Sequence, residues 1–512
     1  MDRNTQMFIL PYHMRQIQAN KTRPWNRTLF ARFKSILLDS TISHTLNRRT
    51  DLFAQRMGRR PRILLCGIVS NSANRIDNLV PTAFSQWGFD VDIHPGGLSH
   101  EQTARAAVEN DVHAVLFPFD YKPLKASVTQ LVEAVSVESG GEVLNVAWKQ
   151  AFEGFGNTHQ GSGFDEVLGI GHDILSGLTR LLDRLEEKKQ TRPELKQCLD
   201  GVVAGDRTVI AKVITLIEDT RTGHRQLADQ LIGQLLPLSG KALRIGISGV
   251  PGAGKSTFIE SFGMMLADMG HRVAVLAVDP SSSKTGGSVL GDKTRMKRLS
   301  SHPNAFIRPT ASGGTLGGIA KKTKESMAVC EAAGFEIMLV ETVGIGQSES
   351  HVASMVDFFL VLMITGAGDE LQGIKKGILE LADAIVINKA DGDNIERARK
   401  AKKIYESSLS IVKQESPAWK VPVLTCSSKN MDGIVDIWQA ISDYRSRMEA
   451  SGEFSQKRRR QSVNWMWSLV EEGLKERFYK RSKTKVLKLT GAVKEGRMSP
   501  TDAALELLDL DS

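Results

Sequence analysis

The chain has 512 residues, 41% hydrophobic and 24% charged, the balance of a soluble globular protein with about two to four domains rather than a disordered or fibrous one. Its four cysteines (Cys66, Cys198, Cys330, Cys426) are scattered without a CxxC pair, which argues against a disulfide framework or a structural zinc site and for a reducing compartment. The net charge of +9 raises nucleic acid as a partner, but no aromatic-interleaved platform or zinc-finger spacing accompanies it, and no run approaches the roughly 18 apolar residues of a membrane span, so neither nucleic acid nor membrane is expected.

Residues 1–61 hold twelve Lys/Arg and three Asp/Glu. They read as a basic helical extension of a cytoplasmic protein. An Arg-rich, acid-poor transit peptide, and hence the mitochondrial matrix, is the alternative. Residues 62–187 alternate strands (62–66, 89–93, 113–118) with helices (76–87, 100–109, 123–137), which predicts a small parallel α/β domain of flavodoxin-like type. A polar linker is expected at 186–190. Residues 194–240 carry helical spacing at Val209, Val213, Leu216 and Ile217, then at Leu227, Leu231 and Leu235. A larger α/β unit follows over 241–445, with near-continuous apolar strands at 243–248, 272–278, 336–340, 358–364, 384–387 and 421–425. Such runs predict a parallel sheet buried on both faces. The tail, 446–512, is a helix-rich arm. Its basic cluster Lys457-Arg458-Arg459-Arg460 reads as a solvated face.

Within the larger unit, Gly249-Val250-Pro251-Gly252-Ala253-Gly254-Lys255-Ser256 satisfies GxxxxGK[ST] between a strand and an amphipathic helix, and these residues with Thr257 are expected to bind the nucleotide. This is the P-loop arrangement: glycines let backbone N–H groups converge on phosphates, and the helix N-terminus adds a positive dipole end. Lys255 is expected on the β/γ-phosphate oxygens and Ser256 on Mg²⁺. Asp279 and Glu341 close strands and Asp292 lies in a following loop. All three are placed to face the metal, because ligands gather at the carboxyl ends of strands in open α/β sheets. Lys255, Asp292 and Glu341 are the residues expected to carry catalysis.

Asn388-Lys389-Ala390-Asp391 closes another strand and reads as the guanine selector. One carboxylate accepts both the N1–H and the N2 amino hydrogens of guanine, a donor pair that adenine lacks. Ser427, Ser428 and Lys429 follow the last strand, where the loop touching guanine O6 is expected. GTP and GDP, with Mg²⁺, are therefore the expected ligands.

From residue 194 onward the chain resembles the MeaB/ArgK family of methylmalonyl-CoA-mutase-associated G proteins. The matching stretches are GVPGAGKSTFIE (249–260), DPSSS (279–283), GDKTRM (291–296), ETVGIGQSE (341–349), GAGDELQGIKKG (366–377) and NKAD (388–391). The resemblance implies a GTP-hydrolysing chaperone of an adenosylcobalamin-dependent acyl-CoA mutase, slow alone and stimulated by its partner. It also implies a third switch at Asp369, Glu370, Gln372 and Lys375, and a homodimer formed through the helical arm. A GTP-dependent metallochaperone for another metal or cofactor enzyme is the alternative, although this chain carries no His-rich or Cys-bearing metal loop. The N-terminal unit resembles the cobalamin-binding domain of the mutase itself, through Val91-Asp92-Ile93 and the stretch from Ala106 to His113. The DxHxxG loop that supplies the cobalt ligand has Asn71, Ala73 and Ile76 in its place, and the later GG motif has no clear match around 145–156. Bound cobalamin is therefore not expected. His94, His100 and His113 read as surface or cap residues rather than replacement ligands.

Overall fold

The computed structural model describes residues 39–66, 79–94, 99–118, 125–149, 163–169, 174–188, 194–219, 221–280, 289–290, 296–312, 316–342, 348–365, 376–409 and 416–508. Two parallel sheets organise it. In the N-terminal unit, helix α1 (Ser40–Met57) leads into β1 (Arg62–Cys66), α2 (Leu79–Gln86), β2 (Asp90–His94), α3 (His100–Glu109), β3 (Ala114–Pro118), α4 (Lys125–Glu138), β4 (Leu144–Lys149), β5 (Glu166–Gly169) and α5 (Ile174–Glu187). Its strands lie in the order β5-β4-β3-β1-β2, all parallel. Read from the other edge, 2-1-3-4-5, this is a doubly wound arrangement. Period-two alternation sends Ile63 to a core with Phe53, Phe84 and Leu181, and Leu64 to the opposite core with Ala107 and Leu131.

The expected basic extension needs correcting over its last third. Helix α1 begins on an Asp39 cap and buries Leu46 and Phe53 in the core of this unit. Two of its arginines are paired with α5: Arg49 with Asp183 and Glu186, and Arg56 with Glu186. For the same reason the expected linker at 186–190 starts too early, because Glu186 and Glu187 still belong to α5. His94 and His113, expected at the surface, are buried. Residues 71, 73 and 76 lie outside the described residues.

Three helices, α6 (Leu195–Val203), α7 (Arg207–Glu218) and α8 (Thr222–Leu235), pack on one face of the larger sheet. That sheet runs β6 (Leu243–Gly249), α9 (Lys255–Asp268), β7 (Val273–Pro280), β8 (Val289–Leu290), α10 (Lys297–Ser301), β9 (Ala305–Ser312), α11 (Leu316–Ala332), β10 (Ile337–Thr342), α12 (Ser348–Ala353), β11 (Phe358–Met363), α13 (Lys376–Leu381), β12 (Ala384–Ile387), α14 (Ile395–Leu409) and β13 (Val423–Thr425). Seven of these strands form the order β13-β12-β11-β6-β10-β7-β9, all parallel, while β8 joins the edge of the N-terminal sheet beside β2. The edge strand β9 was not expected, because Arg308 and Pro309 interrupt its apolar pattern. Proline is tolerated at an edge, where one side of the strand carries no ladder.

The arm is α15 (Ile434–Ala450), the 42-residue α16 (Glu453–Lys494) and α17 (Pro500–Leu508). Helix α15 buries Ile437, Ile441 and Tyr444 against the sheet, so it crosses the boundary expected at 445. Half of the supposedly solvated basic cluster turns inward. Lys457 Nζ bonds Asp357 O at 2.7 Å and pairs with Asp383 at 3.1 Å. Arg458 makes a forked pair with Asp357 at 2.8 and 2.6 Å and bonds Ala242 O at 2.6 Å. Arg459 and Arg460 are exposed. No helix among the described residues is long and apolar enough to cross a membrane.

Candidate functional site

The site forms where β6 gives way to α9. Strand β6 pairs with β11 in a register that sets Gly249 opposite Leu362. Gly249 has φ +149°, and a Cβ there would stand 2.1 Å from the Leu362 carbonyl oxygen, so only glycine lets the chain leave the sheet at this point. Gly254 caps α9 in the left-handed region, without a side-chain acceptor for the first helical N–H groups. An uncapped N-terminus beside a curled loop is an anion site. Lys255 Nζ folds over the loop, bonding Gly249 O at 2.9 Å and Val250 O at 3.5 Å. Pro251, Gly252 and Thr257 are exposed around it, while Ala253 is buried.

Ser256 is buried in the first turn of α9, and its Oγ donates to Glu341 Oε1 at 3.1 Å. Glu341 stands next to last in β10 and is itself buried. Thr342, the following residue, bonds Ser248 across to β6 at 2.9 Å and so fixes the two strand ends together. A hydroxyl and a carboxylate converging beside an anion site make an oxygen-only donor set, which suits Mg²⁺ rather than a soft metal. Among the described residues no group of three or more His, Cys, Asp or Glu gathers to hold a metal. The backbone of Asp279 lies near the end of β7, in register with Ala311 of β9. Asp292, Asp369, Glu370, Gln372 and Lys375 lie outside the described residues.

The second half of the site closes β12. Asn388 is 1% exposed and brackets two loops. Its Nδ2 donates to Ala253 O in the P-loop at 2.8 Å. Its Oδ1 accepts from Ser428 N at 3.1 Å and Ser428 Oγ at 2.8 Å. The fit is close enough that a Cβ on Gly254 would stand 2.9 Å from Asn388 Nδ2. Lys389 adopts φ +60°, unusual for a long side chain and a mark of a conformation imposed by its surroundings. Asp391 Oδ2 accepts from Ser427 Oγ at 2.5 Å, which aims the carboxylate. Lys429 is exposed at the rim.

Ser261 escaped sequence reasoning, and the role of Cys426 within its loop was not legible. Ser261 Oγ donates to Ser428 O at 2.6 Å, tying α9 to the loop after β13, yet inside a helical pattern it looks like a filler position. Cys426 donates to Asn388 Oδ1 at 3.4 Å, and burial pushes its thiol up to about 12, so it is an inert structural group. The P-loop and the Asn388–Asp391 loop therefore meet at the carboxyl ends of strands in one sheet.

A family model described as methylmalonyl Co-A mutase-associated GTPase MeaB matches residues 210–483. A putative GTPase of Caulobacter vibrioides is 52% identical over 309 residues, covering 60% of this chain and 94% of that protein. The mouse methylmalonic aciduria type A homolog, mitochondrial, is 46% identical over 320 residues, covering 60% of this chain and 77% of that protein. Among solved structures, one titled as a LAO/AO transport system kinase superposes with a TM-score of 0.50 at 39% identity, covering 63% of this chain and 99% of that chain. The family model begins at residue 210, beyond the N-terminal sheet.

Proposed function

The chain belongs to the MeaB family of GTPases, and from that membership we propose that it is a GTP-driven chaperone of an adenosylcobalamin-dependent acyl-CoA mutase, gating cofactor loading and protecting the enzyme. The observation that supports the nucleotide site best is the 2.8 Å bond from Asn388 of the base bracket to Ala253 of the phosphate loop, which brings both halves within reach of one nucleotide.

In this reading the backbone from Gly249 to Gly254 cradles the β- and γ-phosphates, and Lys255 leaves its loop carbonyls to neutralise their oxygens. Ser256, Asp279, Asp292 and Glu341 hold Mg²⁺ directly or through its waters. Bound there, the ion would supply positive charge to offset the charge that develops on the phosphates during transfer. Asp391 reads the guanine N1–H and N2 hydrogens, while Asn388 keeps the reader at a fixed distance from the phosphates. Ser427, Ser428 and Lys429 line the O6 edge, and Asp369, Glu370, Gln372 and Lys375 relay the nucleotide state to the mutase.

The chain acts as a homodimer through residues 446–512. Val463, Met466, Trp467, Val470 and Leu474 support this, because they are exposed at a spacing that sets them along one side of α16. The N-terminal unit is a docking module derived from a cobalamin domain. The test is GTP turnover by the purified chain with and without a methylmalonyl-CoA-type mutase. Slow turnover alone and acceleration on adding the mutase are expected, and full-rate hydrolysis without a partner would refute the chaperone reading.

A further inference from the structure

Buried charge fastens the N-terminal unit to the rest of the chain. Arg62 of β1 is 2% exposed and bonds Asp92 of β2 through Nε at 2.8 Å and Nη2 at 3.3 Å. The same Nη2 reaches out of the unit to Pro309 O of β9 at 3.2 Å. From the other side, Arg308 is fully buried and bonds Glu109 O at 3.2 Å, Thr215 Oγ1 at 2.9 Å and Glu218 Oε2 at 2.9 Å. Arg207 pairs with Glu109 at 2.6 Å, and Arg59 with Asp111 at 2.9 Å. Four guanidiniums thus meet four carboxylates (Asp92, Glu109, Asp111, Glu218) drawn from the N-terminal sheet, α7 and β9. His113 adds no charge, since its Nδ1 accepts from Arg62 N at 2.9 Å and burial, with Arg59 nearby, holds its pKa well below 6.5. The backbones also approach closely: a Cβ on Gly58 would stand 1.8 Å from Asp219 Oδ1. Breaking such a set leaves an uncompensated buried charge, so it behaves as a fixed joint rather than a hinge.

The joint also carries a strand across the boundary. Strand β8 adds in parallel to the edge of the N-terminal sheet, with Val289 opposite Val91 and Leu290 opposite Asp92. In sequence, 289–290 falls between Asp279 and Asp292. Asp92, the partner of Leu290, is the residue that Arg62 grips. Pro309, gripped by the same guanidinium, lies in the strand whose Ala311 is in register with Asp279. One arginine therefore spans both stretches that flank the proposed metal acids.

We propose that the N-terminal unit restrains the GTPase in cis: by pairing β2 with β8 and holding β9 through Arg62, it fixes residues 289–290 and the strand beside the end of β7, and so slows nucleotide exchange. The sign of the effect rests on the reading of those two acids as metal ligands. The occupant of this surface is the chain's own β8, so the proposal requires no mutase.

The test uses the full chain with the double substitution Arg62→Met and Asp92→Leu, which replaces a buried pair by apolar side chains and strands no lone charge. Release of a fluorescent GDP analogue should speed up about fivefold, the factor corresponding to loss of about one net hydrogen bond. Amide exchange in the peptide containing 289–290 should lose protection in parallel. Unchanged release and unchanged protection in a folded variant would overturn the proposal. Should the variant fail to fold, the unaltered chain decides: the amides of 289–290 should be protected from exchange, and exchange as fast as in an unstructured peptide would overturn the restraint. Asp292→Asn separates the two readings, because an unaltered Mg²⁺ requirement there would remove the metal assignment while leaving the release measurement standing.

Discussion

Replacing Asp391 by Asn tests the base reader with almost no change of shape. The carboxylate is half-buried, and one of its roughly four lone-pair sites is taken by Ser427 Oγ at 2.5 Å. An amide oxygen can keep that bond, so the fold should survive. What changes is the side offered to guanine. Two charge-assisted bonds, each worth about 1.5–3 kcal/mol, are lost or reversed, because the amide N–H₂ now faces the N2 hydrogens. Partial exposure argues for the lower end, about 3 kcal/mol in total, or on the order of a hundredfold weaker binding at 1.36 kcal/mol per decade. Xanthine carries a carbonyl where guanine carries the amino group, so the variant should prefer xanthosine diphosphate over GDP. Fluorescence titration of both nucleotides at fixed Mg²⁺ measures the exchange of preference. Affinity for GDP within about threefold of the unaltered chain would refute the assignment of Asp391.

Gly249→Ala should abolish nucleotide binding, since the added methyl meets the Leu362 carbonyl at 2.1 Å and a backbone atom cannot step aside; absence of any thermal shift on adding GDP reads this out. Arg458→Ala leaves the Asp357 carboxylate, 1% exposed, without its forked partner and should cost about 3 kcal/mol, measured by urea unfolding. His113 predicts a pH dependence. Its folded pKa lies below the unfolded 6.5 because burial disfavours the imidazolium and Arg59 repels it. The unfolded chain therefore takes up the proton first, and stability is lost as pH falls below about 6.5. Glu325 has the opposite sign: burial raises its carboxyl to about 7, so its contribution is present at low pH and fades as pH rises through 7. His113→Asn should flatten the acid limb of unfolding curves taken between pH 5 and 7.5, and an unchanged limb would assign it to other groups.

The candidate site was legible because its pattern is local. The P-loop and Asn388–Asp391 each fit in one short stretch, and the apolar runs around them marked the strand ends that bring them together. Long-range pairing was not legible. Strand β9 was not among the expected strands because Arg308 and Pro309 serve the joint with the N-terminal unit rather than the period of the strand. Arg49, Lys457 and Arg458 counted as surface charge until their acids at 183, 186, 357 and 383 came into contact through the fold. His94 and His113 misled for a related reason: a histidine at a strand end gives no sign in sequence of which neighbours will cover it. Residues 1–61 read as a helical extension, but the core that Leu46 and Phe53 enter is assembled from residues spread from Ile63 to Leu185.

The root of the arm is fastened to Ala242, Asp357 and Asp383, residues that precede β6, β11 and β12. Gly249 and Asn388 stand at or just beyond the other ends of β6 and β12. Strands of this length hold the two poles about 13–23 Å apart at roughly 3.3 Å per residue. Whatever grips the arm near its root does so at the rear of the molecule. In the proposed dimer, a second copy held there would leave both candidate sites open to bulk solution, and each could trade spent nucleotide for fresh without the pair having to separate.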